Sequence, residues 1–190
     1  MAATTQAAEG LPRRMWSVAE IEAMAELGIF QEDDRFELIG GEIVPMSPKG
    51  NRHEIYKGSL LQFWLQHKTA KYSIIPETTF RLDEHSFIEP DFVFYDAAVK
   101  VPQLAPSNTW LAVEISDTSL SYDLGRKPRI YSNAGVKALW VIDVNSLVTH
   151  VFSHPGIDGY REVKTVERDQ IIVPDFAPEL AVKLGELELI

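Results

Sequence analysis

The sequence predicts an α/β fold in which a mixed central sheet is flanked by helices, preceded by an N-terminal helix and a β-hairpin. Three observations predict it. The pattern runs helix, hairpin, helix, several strands, helix, strands, an order that packs helices against a sheet. Two segments, Asp91–Tyr95 and Trp110–Ser116, are almost continuously apolar around one acidic residue each, as suits central strands buried on both faces. Neither a G-x-G-x-x-G nor a Walker A loop is present, so nothing marks a Rossmann unit.

The 190 residues fit one domain, and a hydrophobic content of 45% supports a core without covalent staples. Residues 1–15 read as a flexible N-terminal arm and residues 16–190 as a single folded domain. The absence of cysteine rules out disulfides and thiolate zinc sites and fits a reducing cytoplasm, the expected location. No apolar run approaches the roughly 20 residues that cross a bilayer, and Met1–Gly10 has no apolar signal-peptide core, so no membrane partner is expected. A net charge of −10 argues against diffuse attraction to a polyanion. A nucleic-acid enzyme of this composition needs a local basic patch, or metal ions that offset the carboxylates of its site.

Ser17 and Glu20 have the spacing of a capping box, which opens a helix to about Leu27 that Gly28 stops. Arg35–Ile39 and Glu42–Met46 flank Gly40-Gly41 and predict a β-hairpin. After a loop at Pro48–Asn51, Ile55, Leu60, Leu61, Trp64 and Leu65 recur at near-helical spacing to about His67. Strands are expected at Tyr72–Ile75, Thr78–Leu82, Asp91–Tyr95 and Trp110–Ser116, with the proline-bearing stretch Lys100–Asn108 a loop. One helix is expected over Ser121–Asn133, ended by Ala134-Gly135. Strands Ala138–Val144 and Val148–Ser153 join through a turn at Asp143–Ser146, and Tyr160–Val166 and Gln170–Val173 extend the β region. The alternation Val182, Leu184, Leu187, Leu189 predicts an edge strand.

The chemistry concentrates on two acids in apolar surroundings. Glu89-Pro90-Asp91 leads into Phe92–Tyr95, and Leu111–Val113 leads into Glu114, so each acid stands at the end of a core strand. A buried carboxylate without a partner is costly and tends to protonate; two on neighbouring strands repel unless a cation lies between them. Magnesium, a hard cation held by one or two carboxylates plus waters and phosphates, suits Asp91 and Glu114 with the backbone carbonyl of Ile115, and manganese is expected to substitute. Such an ion generates hydroxide and stabilises charge on a phosphodiester. The residues alone leave a second reading open, in which Asp91 caps a turn and Glu114 forms an internal ion pair. Downstream, Arg126, Lys127 and Arg129 form a basic cluster. A lysine there reaches a scissile phosphate and stabilises negative charge. Alternatively the cluster is a solvated helix N-terminus, with Asp123 as its cap and Pro128 in the first turn.

Phe36–Val44, Met46-Ser47-Pro48, Arg52-His53, Glu89-Pro90-Asp91, Val113–Ser116, Tyr122–Lys127, Tyr131–Val136 and Leu139–Asp143 together resemble the Uma-two endonuclease family, a bacterial branch of the PD-(D/E)XK superfamily. The matching pieces keep the family's order from about Trp16 to Phe152. The resemblance implies a restriction-endonuclease-like core and a magnesium-dependent site, with Asp91 as the Asp of the motif and Glu114 as its second acid. The superfamily's lysine stands two residues after that acid, where this chain has Ser116. Related branches carry it on a following helix, so the resemblance gives the role to Lys127. Glu37, in the hairpin, is either a third carboxylate or an exposed strand residue. His53, at the start of the long helix, either touches substrate, holds a water or is structural, and no zinc ligand set surrounds it in sequence. Trp64, Trp110 and Trp140 read as core.

The expected activity is magnesium-dependent endonuclease cleavage of DNA, with Asp91, Glu114 and Lys127 as catalytic residues. The alternative is a catalytically inactive nuclease-fold module that binds nucleic acid or protein, which Ser116 and the net charge favour. A two-carboxylate glycosidase ranks last, because no aromatic-lined cleft is identifiable. A homodimer is the expected assembly, since isologous pairs are commonest and the C-terminal strand offers an open edge.

Overall fold

The computed structural model describes residues 4–6, 12–31 and 33–190. In chain order the elements are β1 (Thr4–Gln6), β2 (Pro12–Arg14), α1 (Val18–Glu26), β3 (Phe36–Ile39), β4 (Glu42–Pro45), α2 (Asn51–His67), β5 (Tyr72–Pro76), β6 (Phe80–Asp83), β7 (Ser86–Ile88), β8 (Phe92–Asp96), β9 (Thr109–Ser116), α3 (Leu120–Gly125), α4 (Lys127–Ala134), β10 (Ala138–Asp143), β11 (Val148–Gly156) and β12 (Gly159–Val166). The chain divides into two compact units: residues 1–46 with 79–89, and residues 47–78 with 90–190. Of the expected arm, residues 1–3 and 7–11 lie outside the described residues, and β1 pairs antiparallel with β2. No helix among the described residues is long and apolar enough to cross a membrane.

The first unit holds a four-stranded antiparallel sheet in the order β4-β3-β7-β6. The capping box forms: the Glu20 N–H donates to Ser17 Oγ at 3.2 Å, and the Ser17 N–H donates to Glu20 Oε2 at 2.9 Å. Gly28, at φ +69°, ends α1. Gly40 and Gly41 both adopt positive φ, +57° and +79°, the requirement of a tight hairpin turn that keeps the strand twist. A Cβ on Gly41 would fall 2.9 Å from the Trp16 nitrogen, so close backbone approach fixes glycine there as well. Val18, Ile21 and Leu38 form the core of this unit, with Phe36 and Phe87 against them. Strand β7, absent from the sequence reading, follows a turn in which the His85 N–H donates to Asp83 Oδ1 at 2.7 Å.

The second unit carries the larger sheet, six strands in the order β12-β11-β10-β9-β8-β5. It is mixed: β9 and β10 run parallel and the other neighbours antiparallel. Along β9 the side chains alternate. Leu111, Val113 and Ile115 join Leu60 and Trp64 of α2 in the main core, and the Trp64 ring stands edge-on to Phe92 and Phe94 at 5.2 and 5.0 Å. Glu114 therefore faces the other side, where α4 packs.

Three expectations are corrected. The single helix over Ser121–Asn133 is two helices broken at Arg126. Pro128 has no N–H to give the Leu124 carbonyl one turn back, so α3 closes with the Arg126 N–H on the Tyr122 carbonyl at 3.0 Å and a new helix starts at Lys127. The C-terminal alternation is no edge strand. It forms short 3-10 turns at Pro178–Leu180 and Leu184–Glu186, and the single bridge Ile172↔Val182 is all that remains of it and of the strand expected at Gln170–Val173. Its apolar residues Leu180, Val182 and Leu184 still cap the core. The sheet's edges are β12 and β5.

The turn leaving β10 is held by one carboxylate. Asp143 accepts the Asn145 N–H at 2.9 Å and the Ser146 hydroxyl at 2.6 Å, beside Leu147 at φ +61°. Burial works to raise the Asp143 pKa, but these hydrogen bonds hold it below its ordinary value. A depressed folded-state pKa contributes stability that is present above the unfolded-state value and lost as the pH falls through the folded one. Asp143→Asn is expected to cost about 1–2 kcal/mol in urea unfolding at neutral pH. The gap from wild type should close as the pH drops below the carboxylate range; a gap that stays constant with pH contradicts the assignment.

Candidate active site

The second unit brings the two acids to one place. Phe92 pairs with Val113 in the β8–β9 ladder, so Asp91, just before β8, comes level with the end of β9 that carries Glu114. Asp91 Oδ2 accepts the N–H of Ile115, the residue after Glu114, at 2.8 Å. Both acids are buried, each 3% exposed.

Different elements answer each charge. Lys49, in the loop before α2, places Nζ 3.0 Å from Asp91 Oδ1, and His53, in the first turn of α2, places Nε2 3.1 Å from Asp91 Oδ2. Burial pushes the Asp91 pKa up, but His53, Lys49 and the Ile115 N–H together hold it below its ordinary value. Burial pulls the Lys49 pKa down, yet Asp91 and Glu77 raise it above its ordinary value. Glu114 takes its partners from α4: Lys127 Nζ lies 3.0 Å from Oε2, and the Tyr131 hydroxyl donates to Oε1 at 2.5 Å. Lys127 and Tyr131 are four residues apart and so project from one helix face.

Lys127 has a second anchor. Its Nζ lies 3.4 Å from Asp123 Oδ1, and Asp123 Oδ2 accepts the Ser116 hydroxyl at 2.7 Å and the Ser119 hydroxyl at 2.5 Å. Asp123 is thus not the helix cap that one reading expected, since it lies inside α3, is 3% exposed and ties the lysine to β9. Ser116, in the position where the superfamily places its lysine, is part of that tie.

Of the residues singled out from sequence, Asp91, Glu114, Lys127, His53 and the Ile115 peptide come together in this unit. Glu37 lies in the first unit, 2% exposed rather than on an exposed face, with Oε1 accepting the Glu89 N–H at 3.3 Å. The sequence reading missed Lys49, Glu54, Lys57, Glu77, Asp123 as a lysine anchor, and Tyr131. Trp64 and Trp140 are core, whereas Trp110 is half-buried and lines a cavity of about 610 Å³ with Trp140 and Phe176. Neither acid lines that cavity.

The donor set fits a hard divalent cation. No group of three or more His, Cys, Asp or Glu able to hold a metal exists among the described residues, but magnesium needs only one or two carboxylates when water and phosphate complete its shell. Asp91, Glu54 and Glu77 are linked through Lys49, Lys57 and His53, and Glu114 and Asp123 are linked through Lys127, so each acid of the pair has its own network of counter-charges.

The mixed sheet with α2 on one face and α4 on the other is a restriction-endonuclease-like α/β fold. The chain belongs to the Uma2 family, described as "Putative restriction endonuclease", whose model matches residues 18–185. Among solved structures it is similar to the crystal structure of "a putative nuclease belonging to DUF820" from Anabaena variabilis ATCC 29413, with a TM-score of 0.66 at 17% identity over 85% of this chain and 93% of that one. No curated protein matches the chain.

Lys127 is 5% exposed between two buried carboxylates. Removing it leaves both uncompensated, so Lys127→Met is expected to cost about 3–5 kcal/mol in urea unfolding. Adding Glu114→Gln should recover part of that loss. Additive costs in the double variant would show that the pair is not coupled.

Proposed function

We propose that this chain hydrolyses phosphodiester bonds in DNA, with magnesium held by Asp91 and Glu114. The supporting observation is that buried Asp91 accepts the N–H of the residue next to buried Glu114 at the β8–β9 end, each acid paired with a lysine, in a family described as "Putative restriction endonuclease". A magnesium ion at these acids would supply positive charge to the phosphate and acidify an attacking water. Manganese, similar in its preference for oxygen ligands, substitutes for it.

The chain's own residues do the rest. Lys127 Nζ, fixed between Glu114 and Asp123, offers a positioned donor to charge that develops on the phosphate oxygens. Tyr131 holds the Glu114 carboxylate in one orientation from the side opposite Lys127. His53, bonded to Asp91 through Nε2 and to Glu54 through Nδ1, fixes the Asp91 carboxylate. Lys49 and Lys57 are the cations nearest Asp91 that a phosphate could draw from their carboxylate partners.

A second reading, a nuclease-fold module that binds nucleic acid without cutting it, is favoured by the ion pair that each acid makes with a lysine. One experiment separates the two. Wild-type protein with supercoiled and linear DNA should cut when magnesium or manganese is supplied, and Glu114→Gln should lower the rate at least about 100-fold. A metal-dependent rate that Glu114→Gln leaves untouched removes this site from the chemistry. Absence of cutting by wild type, with DNA binding intact in both proteins, establishes the module instead.

A further inference from the structure

Two lysines in the second unit converge on a single oxygen atom. Lys49 Nζ lies 2.5 Å and Lys57 Nζ 2.9 Å from Glu77 Oε1. Lys49 continues to Asp91, and Lys57 continues to Glu54, which meets His53 and so returns to Asp91. The six side chains therefore form a closed ring of alternating charge that begins and ends on the acid of the proposed metal pair.

The members of this ring are not equally placed. The lysine side chains are only 12% and 13% exposed, whereas that of Glu77 is 37% exposed. Ammonium groups so far buried need an anion beside them. Glu77 is more solvent-accessible than either lysine, and when it leaves, Asp91 stays on Lys49 and Glu54 stays on Lys57. Its backbone is also in an unusual state. Glu77 follows Pro76 at the end of β5 with φ +46°, a region that an ordinary side chain occupies only at a cost, and its N–H donates to the Asp91 carbonyl at 3.3 Å. A non-glycine residue thus holds a strained conformation one hydrogen bond from the acid, with its carboxylate on two converging cations.

Two ammonium groups aimed at one anionic oxygen are a phosphate receptor, and a backbone phosphate presents more anionic oxygen than a carboxylate does. We infer that Lys49 and Lys57 are a clamp for a DNA backbone phosphate next to the scissile one, and that Glu77 is the anion that occupies the clamp until DNA displaces it. This rests on the reading of the chain as a DNA-binding protein, but not on its cutting DNA. Because Lys49 touches both Glu77 and Asp91, a phosphate in the clamp lies beside the metal pair, and the strand is held in register with the acids. Glu77 sets a threshold for entry: an anion weaker than a nucleic-acid strand does not displace it.

The test measures binding without cleavage, by fluorescence anisotropy of a labelled DNA duplex in EDTA over a series of salt concentrations. Glu77→Gln removes the competing charge and should tighten binding roughly tenfold, the sum of two modest ion pairs. Glu77→Gly, compatible with the positive φ, provides a second variant that relieves backbone strain while removing the same anion, and should bind at least as tightly. Lys57→Met should weaken binding and lower the slope of log affinity against log salt by about one. In the double variant Glu77→Gln/Lys57→Met, most of the gain should vanish. Unchanged or weaker binding by both Glu77 variants overturns the clamp, as does a Lys57→Met salt slope equal to wild type, or DNA binding undetectable in all proteins. Tightened binding by the Glu77 variants in a protein that never cuts DNA keeps the clamp and removes the hydrolase, whereas metal-dependent cutting with no response at Glu77 or Lys57 does the reverse.

Discussion

The hydrogen bond from the Ile115 N–H to the Asp91 carboxylate is the constraint around which the second unit is organised. It can form only because the β8–β9 register brings the residue before Phe92 level with the residues after Val113. Once it forms, Glu114 and Asp91 are both committed to an interior that is hostile to charge, and the surrounding elements follow from that commitment. The loop before α2 must deliver Lys49, the first turn of α2 must deliver His53, and α4 must begin where Lys127 and Tyr131 reach Glu114. A buried ion pair is weak evidence for stability, because apolar residues would pack as well at lower risk. Keeping so many charges under the sheet makes structural sense when they serve a ligand.

Ser116 and Lys127 are tied together through one carboxylate. The Ser116 hydroxyl holds Asp123, and Asp123 holds Lys127. The break at Arg126 is part of the same solution. A continuous helix through this segment would fix the Lys127 direction by the frame of α3, whereas a new helix opened by Pro128 sets it independently. The arrangement puts a cation at a helix N-terminus, where the backbone dipole opposes it, so the two carboxylates also offset an unfavourable local field.

Much of this was legible in the sequence, for definite reasons. Asp91 and Glu114 stood out because an acid next to Phe92-Val93-Phe94 or Leu111-Ala112-Val113 has no ordinary place in a two-face-buried strand. The capping box at Ser17 and the Gly40-Gly41 hairpin are local codes, complete within a few residues, and both form as written. The Lys127 role came from the family resemblance, since no spacing rule connects positions 114 and 127. What stayed hidden depends on contacts distant in sequence. Lys49 and Glu77 are 28 residues apart and Lys57 and Glu77 are 20 apart, with nothing in their neighbours to pair them. The C-terminal alternation misled because period-two apolar residues also suit 3-10 turns that drop one side chain after another into a core, and only the ladder hydrogen bonds make a strand.

The overall acidity, which counts against a nucleic-acid partner when averaged over the chain, has a different meaning at this site. Exposed charges farther apart than about a Debye length, some 8–10 Å at ordinary salt, are largely screened from one another, so a remote surface carboxylate repels a bound strand only weakly. What a phosphate meets is the local set, and there the lysines are buried, converging and each matched to a carboxylate. A lysine held in this way keeps its direction, so less conformational freedom is lost when a phosphate replaces the carboxylate. On the proposed reading, a divalent ion at Asp91 would lessen the hold of that acid on Lys49. Cation and strand would then favour each other's binding through the same ring of side chains. A globally acidic chain can in this way hold DNA at one place and shed it everywhere else.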